Sequence, residues 1–219
     1  VEDVRRAIGM LSNNTALGID LWDVKWLKAA DDEMIKELTE LLNFIEMVGT
    51  WPEQIMMNII VLMGKPGGGV RPIALMPMLY RVWTKCRKGV IQEWDKLHQG
   101  PWDAAVQGSS ALRAAILSAF HDELHLLDGK EIAAILWDME KFYDNINITK
   151  LIRRSQEMGY PIVALALGLS MHMAPRVIKA FEHYVMCELP INGIIAGCTQ
   201  STFFARLFLY AVLRDHSSK

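Results

Sequence analysis

Cysteine is scarce and scattered in this chain. Its 219 residues hold three, Cys86, Cys187 and Cys198, with no Cys-x-x-Cys pair and no histidine at zinc-binding spacing. That argues against a disulfide framework or a structural zinc site and makes a reducing compartment the default. No charged start followed by an apolar run opens the chain at Val1-Glu2-Asp3, so no signal peptide is legible. Long apolar runs are missing too. The most apolar stretch, Ile194 to Leu213, is broken by Gln200 and Arg206 and makes a poor membrane span, so no membrane partner is expected. Nor is there a basic excess: a net charge of −2 excludes a protein that coats nucleic acid over its whole surface. What is present is apolar mass. Hydrophobic residues make up 52% of the chain and charged ones 22%, enough to bury a core and against disorder.

The charge is uneven. Residues 1–59 carry five Lys/Arg against eleven Asp/Glu. Residues 60–100 reverse the balance, with seven cations (Lys65, Arg71, Arg81, Lys85, Arg87, Lys88, Lys96) against Glu93 and Asp95. A local basic stretch on a near-neutral chain fits a phosphate or nucleic-acid contact, and a solvated charged face gives the same pattern.

Apolar spacing predicts a helix over 31–48 through Met34, Ile35, Leu38, Leu41, Leu42 and Ile45, opened by Asp31 and Asp32 and stopped by Gly49. Ile59 to Met63 is β-prone and runs into the turn Gly64-Lys65-Pro66-Gly67-Gly68-Gly69, with a second extended segment over 70–75. Helical spacing returns over 110–127 through Leu112, Ala115, Ile116, Ala119, Phe120, Leu124 and Leu127. Ile132 to Trp137, apolar on both faces, reads as a buried strand with Asp138 at its end. Thr149 is the candidate cap of a helix to Met158; Val177 to Leu189 reads as extended, Pro190 to Gly193 as a turn, and Ser201 to Leu213 as a helix. The expected class is α+β, helix-rich with a small antiparallel sheet.

A carboxylate at the mouth of a rigid strand can hold Mg²⁺, a hard cation that takes oxygen ligands and often a substrate phosphate. An Asp capping the next turn is the plainer alternative. The loop at 64–69 is no P-loop, because Gly-Lys-Ser/Thr and a following helix start are both missing.

Asp138-Met139-Glu140-Lys141-Phe142-Tyr143-Asp144-Asn145-Ile146 resembles the first catalytic block of reverse transcriptases, commonly Asp-x-x-x-Ala-Phe-Asp-x-Ile. Two further blocks occur in the family's order. Met63-Gly64-Lys65-Pro66 through Arg71-Pro72-Ile73-Ala74-Leu75 is similar to the fingers block of non-LTR retrotransposon and group II intron enzymes. Gly193-Ile194-Ile195-Ala196-Gly197-Cys198-Thr199-Gln200-Ser201 is similar to the Gly-Val-x-Gln-Gly-x-x-x-Ser block. Smaller likenesses are Thr15 to Asp20 and Ala105 to Ser110, so the resemblance spans roughly residues 12–215.

The resemblance implies a right-hand polymerase fold, with fingers over 1–105 and an incomplete palm over 106–219. It implies RNA-directed DNA synthesis from an RNA template, a DNA primer and deoxynucleoside triphosphates, with two Mg²⁺ ions held by Asp138 and the Met139 carbonyl. Lys65 and Arg71 would bind the triphosphate, Tyr143 would lie under the incoming sugar, and Gly197 would let backbone approach the nucleotide. Two departures stand out. The family's Gln is Ala196 here, and after Ser201 the only acidic residue is Asp215, so the second carboxylate pair is missing. The expectation is therefore a piece cut before its catalytic centre is complete and inactive alone. Alternatives are a degenerate or maturase-like module that only binds RNA, a phosphotransferase using Asp138 as nucleophile, and a structural α+β domain.

Overall fold

A computed structural model describes residues 1–100, 103, 104, 106, 108–133 and 138–217. The chain opens with three helices, α1 (Glu2–Gly9), α2 (Val24–Ala29) and α3 (Asp32–Val48). The expected helix over 31–48 is α3. The Asp31 carboxylate accepts the Met34 N–H at 2.9 Å, and Gly49 ends the helix in the left-handed conformation that glycine adopts freely. Ile35, Leu38, Leu42 and Ile45 are buried, whereas Met34 and Leu41 stay exposed and line an apolar groove with Trp26.

The β-prone segments form the expected hairpin, β1 (Asn58–Gly64) and β2 (Val70–Leu75), with register Ile59↔Leu75 to Gly64↔Val70. Two helices follow, α4 (Met78–Cys86) and α5 (Lys88–Leu97). A further helix, α6 (Ala111–Leu127), is capped by Ser110, whose hydroxyl accepts the Arg113 N–H. The expected helix forms but buries no residue. Then come α7 (Ile148–Glu157), α8 (Ile162–His172), strands β3 (Arg176–Ala180) and β4 (His183–Met186), and α9 (Ser201–Ser217). Among the described residues no helix is long and apolar enough to cross a membrane.

Several expectations need correction. The sheet is mixed, not antiparallel: its order is β2-β1-β3-β4, and β1 pairs with β3 in parallel. The long helical crossover between those strands makes a parallel pairing possible. Strands from both sides of residue 105 share this sheet. The cap of α7 is Asn147, which accepts the Lys150 N–H at 2.8 Å; Thr149 lies in the first turn, where its hydroxyl has no such role. The extended stretch 177–189 is broken by a reversal at Phe181, which has a φ of 53°. Of the expected buried strand 132–137, residues 134–137 lie outside the described set, as do Ala105 and Gln107 of the 105–110 segment; Ile132 and Ala133 are exposed.

Two apolar clusters hold the fold. The first joins α1, α3, β1, β2 and α4 around Trp51, Tyr80 and Trp83, whose ring centroids lie 5.3–5.8 Å apart. The Trp51 indole N–H donates to the Leu167 carbonyl at 2.9 Å, which ties this cluster to α8. The second joins α5, α7, α8 and α9 through Trp94, Leu151, Leu165 and Phe204. Helix α8 faces both: Leu167 and Met171 enter the first cluster, Leu165 and Leu169 the second. The segment 193–198 is a second seam, with Ile195 in the first cluster and Ile194 in the second. Both motif blocks in the back half are anchored at these seams.

Candidate nucleotide-binding cleft

The β1–β2 hairpin carries the first block. Its turn closes through Lys65 N–H to the Gly69 carbonyl at 3.0 Å and Gly68 N–H to the Lys65 carbonyl at 3.1 Å. Gly68 and Gly69 have φ of 89° and 82°, so the chain can reverse there without a Cβ penalty. The far half of the hairpin stands in solvent, with Lys65 and Arg71 both exposed.

The second block makes a tight turn. Lys141 has a φ of 48°, Asn145 N–H donates to the Lys141 carbonyl at 3.1 Å, and Ile146 is fully buried. Phe142 and Tyr143 pack against the second cluster, their ring centroids 5.7 Å apart. The third block is bonded directly to this turn: Gly193 N–H donates to the Ile146 carbonyl and Ile194 N–H to the Tyr143 carbonyl, each at 2.8 Å. Gly193 has a φ of 84°, and a Cβ there would lie 2.7 Å from the Asp144 carbonyl oxygen. Only glycine fits so close a backbone approach.

These segments enclose an open cleft of about 790 Å³. Arg71 and Ala74 of β2, Ile60 of β1 and Arg176 and Ile178 of β3 form the sheet side; residues 141–144 and 187–192 with Ala196 form the rest. Arg71 and Tyr143 therefore share one cleft. Asp138, the Met139 side chain and Lys65 are exposed and do not line it. Gly197, with a φ of 97°, lies on the other side of β2, where its Cβ position is 3.6 Å from Ile73 Cγ2. It lines a smaller cavity of about 320 Å³ with Tyr80, Arg81 and Lys85.

The remaining cations of the basic stretch are partly tied up in the fold. The Arg87 guanidinium is paired with Glu46, and Arg81 donates to the Ala16 carbonyl at 2.7 Å. In the cleft, by contrast, the acids that line it with Arg71, Lys141 and Arg176 are, among the described residues, Asp144 and Glu188. Sequence reasoning missed Lys141 and Arg176. Arg176 was detectable only as the cation heading a β-prone run, a weak signal.

Behind the cleft lies His172, fully buried at the end of α8. Its Nδ1 accepts the Ile195 N–H at 2.8 Å, which leaves the proton on Nε2. Burial, with Arg176 adding to it, pulls this imidazole down to about 3. Neutral His172 thus fixes the third block from beneath. Arg176 donates from Nη2 to the His172 carbonyl at 3.1 Å; burial lowers its pKa, and Asp144 opposes that shift. Burial raises the Cys198 thiol and also the Tyr80 phenol, which lie 3.2 Å apart, so both stay protonated.

Among the described residues no three His, Cys, Asp or Glu side chains converge as a metal site. Asp138 with the Met139 carbonyl falls short of the oxygen set that Mg²⁺ takes, so these residues do not by themselves fit a two-metal centre. A scan of protein-family models found no match to this chain, and neither did a search of curated proteins.

Proposed function

We propose that the chain provides the nucleotide-binding cleft of an RNA-directed DNA polymerase, as fingers and part of the palm of a right-hand fold, acting with RNA template, DNA primer and deoxynucleoside triphosphates. One observation carries this reading. Arg71, Tyr143 and Ala196 come from three blocks far apart in the chain, and they line a single cleft. Convergence of short motifs is hard to explain if each is an accidental likeness.

In this reading Arg71 grips the triphosphate, since a guanidinium binds phosphate bidentately. Lys65 is a second cation, on a glycine-rich hairpin tip that can close over the ligand. Tyr143 places its ring where a 2′-hydroxyl would clash, whereas Gly197, in the smaller cavity on the other side of β2, does not line this cleft. Asp138 supplies one carboxylate toward Mg²⁺, with the Met139 carbonyl beside it. A two-metal site needs further carboxylates, and no hydrophobic-Asp-Asp motif follows Ser201 in this sequence. On its own the chain binds nucleotide without polymerising it.

The test is titration of the chain with a fluorescent deoxynucleoside triphosphate and its ribonucleotide counterpart. Arg71→Ala should weaken binding by about 10- to 100-fold, the equivalent of about 1.5–3 kcal/mol for a charge-assisted contact. Tyr143→Ala should bring the two nucleotides to similar affinity. Unchanged binding in Arg71→Ala would remove the triphosphate role. In a longer protein bearing the missing carboxylates, Asp138→Asn should abolish primer extension. A second reading, RNA binding without polymerisation, is favoured by Ala196 standing in the cleft where the family has Gln. Primer extension by the longer protein would exclude it.

A further inference from the structure

Arg176 is the least satisfied charge around the cleft. Its Nη2 reaches the His172 carbonyl at 3.1 Å, while Nε is buried with no hydrogen-bond partner. No carboxylate lies within 4.0 Å of it among the described residues, in contrast to Arg87, paired with Glu46, and Arg206, paired with Asp95 and Asp103; Arg81, likewise without an ion pair, donates to the Ala16 carbonyl. A guanidinium withdrawn from water without an anion is costly, and an anion entering the cleft would relieve that cost.

Position supports the same conclusion. Arg176 heads β3 two residues before Ile178, so both side chains point to the same face of the sheet, and both line the cleft. Arg176 registers with Asn58 of β1, whereas Arg71 registers with Met63. Those partners are five residues apart, roughly 17 Å along the strand. The two arginines therefore start near opposite ends of the sheet and, the spacing being odd, on opposite faces of it; Arg176 shares its face with Ile178, Ile60 and Ala74, and both arginines are among the residues that line the cleft. A ligand at the Arg176 end would present an anionic group there, next to the apolar surface of Ile60 and Ile178.

We propose that Arg176 is a second phosphate-binding residue, holding a phosphate at the end of the cleft away from Arg71. The phosphate belongs either to a nucleoside triphosphate or to the backbone of a short nucleic-acid strand. This rests on the nucleotide reading of the cleft and adds a contact to it. Arg176 acts by positioning the ligand. The neutral His172 beneath it, bonded to Ile195, keeps the carbonyl it uses in place.

The experiment uses the full chain with Arg176→Gln and Arg71→Ala, and three probes: inorganic tripolyphosphate, a deoxynucleoside triphosphate, and a single-stranded trinucleotide lacking a triphosphate. Loss of about tenfold in affinity for the first two in Arg176→Gln assigns the triphosphate. The same loss for the trinucleotide alone assigns the strand backbone. Equal affinity of Arg176→Gln and the unaltered chain for all three overturns the proposal, and if Arg71→Ala still weakens the triphosphate, the nucleotide reading survives that failure. Conversely, if Tyr143→Ala shows no sugar effect but tripolyphosphate still depends on Arg176, the anion site stands and the polymerase reading falls. Should Arg176→Gln fail to fold, arginine modification by phenylglyoxal is mapped by mass spectrometry on the unaltered chain. Saturating probe should protect Arg176 and leave the exposed Arg153 reactive; equal modification of Arg176 with and without every probe overturns the proposal.

Discussion

Helices α3 and α6 are both 17 residues long, and both begin at a side chain that accepts the backbone N–H three residues on, Asp31 in one and Ser110 in the other. Their fates differ. α3 buries Ile35, Leu38, Leu42 and Ile45 in the first apolar cluster, while α6 leaves Leu112, Phe120 and Leu127 in solvent. Caps and propensity decide whether a helix forms, but packing needs a stripe confined to one face and a partner to receive it. The apolar residues of α6 are spread around its circumference: consecutive pairs such as Ile116-Leu117 and Leu126-Leu127 point to different sides.

The largest test of this contrast is Leu38→Ala, which should destabilise the chain by about 2–5 kcal/mol, because it leaves a cavity in a packed cluster. Denaturant unfolding measures it, and a loss under about 1 kcal/mol would show that α3 is packed no better than α6. Acid comes next. His172 is neutral when folded, with a pKa of about 3, and an unfolded histidine titrates near 6.5. The unfolded chain therefore binds the extra proton first, and stability is full above about pH 6.5 and falls as pH drops toward 3. The slope is about 1.4 kcal/mol per pH unit, or about 2 kcal/mol by pH 5. His172→Gln should flatten that window in a pH series of unfolding curves.

The caps give a smaller and more diagnostic difference. Asp31→Ala and Ser110→Ala each remove one acceptor, worth about 1 kcal/mol to its helix. In α3 the loss should lower global stability. In α6 it should appear only as faster amide hydrogen exchange over 111–115, since no buried residue couples that helix to global unfolding. The smallest effect is Phe120→Ser, which should stay within about 0.5 kcal/mol as a surface change. A loss of several kcal/mol would mean that α6 is packed in solution.

Much of the local structure is legible in the sequence. The spacing of Ile35, Leu38, Leu42 and Ile45 marks α3, and Gly67-Gly68-Gly69 between two β-prone runs marks the hairpin. Helix α8 is not legible, because Ala164, Leu165, Leu167, Leu169 and Met171 are buried around most of its surface and show no single apolar stripe. The cap of α7 falls two residues before the expected one because Asn147 and Thr149 are both cap formers, and only the hydrogen bond from Lys150 N–H distinguishes them. In the cleft, Arg71 and Tyr143 follow from their motifs. Arg176 belongs to none, and its place in the cleft depends on which face of β3 meets it.

The sequence by itself determined what acts over a few residues: where helices start, where glycine permits reversal, and which segments alternate or run apolar. Those outcomes rest on hydrogen bonds and φ preferences that the neighbouring residues supply. Only the tertiary structure decided that β1 pairs in parallel with β3, that Gly193 meets the backbone of Asp144, and that Arg71, Tyr143 and Arg176 share one cleft. Each of these joins segments tens of residues apart, and their register is set by how two apolar clusters close around α8 and residues 194–195.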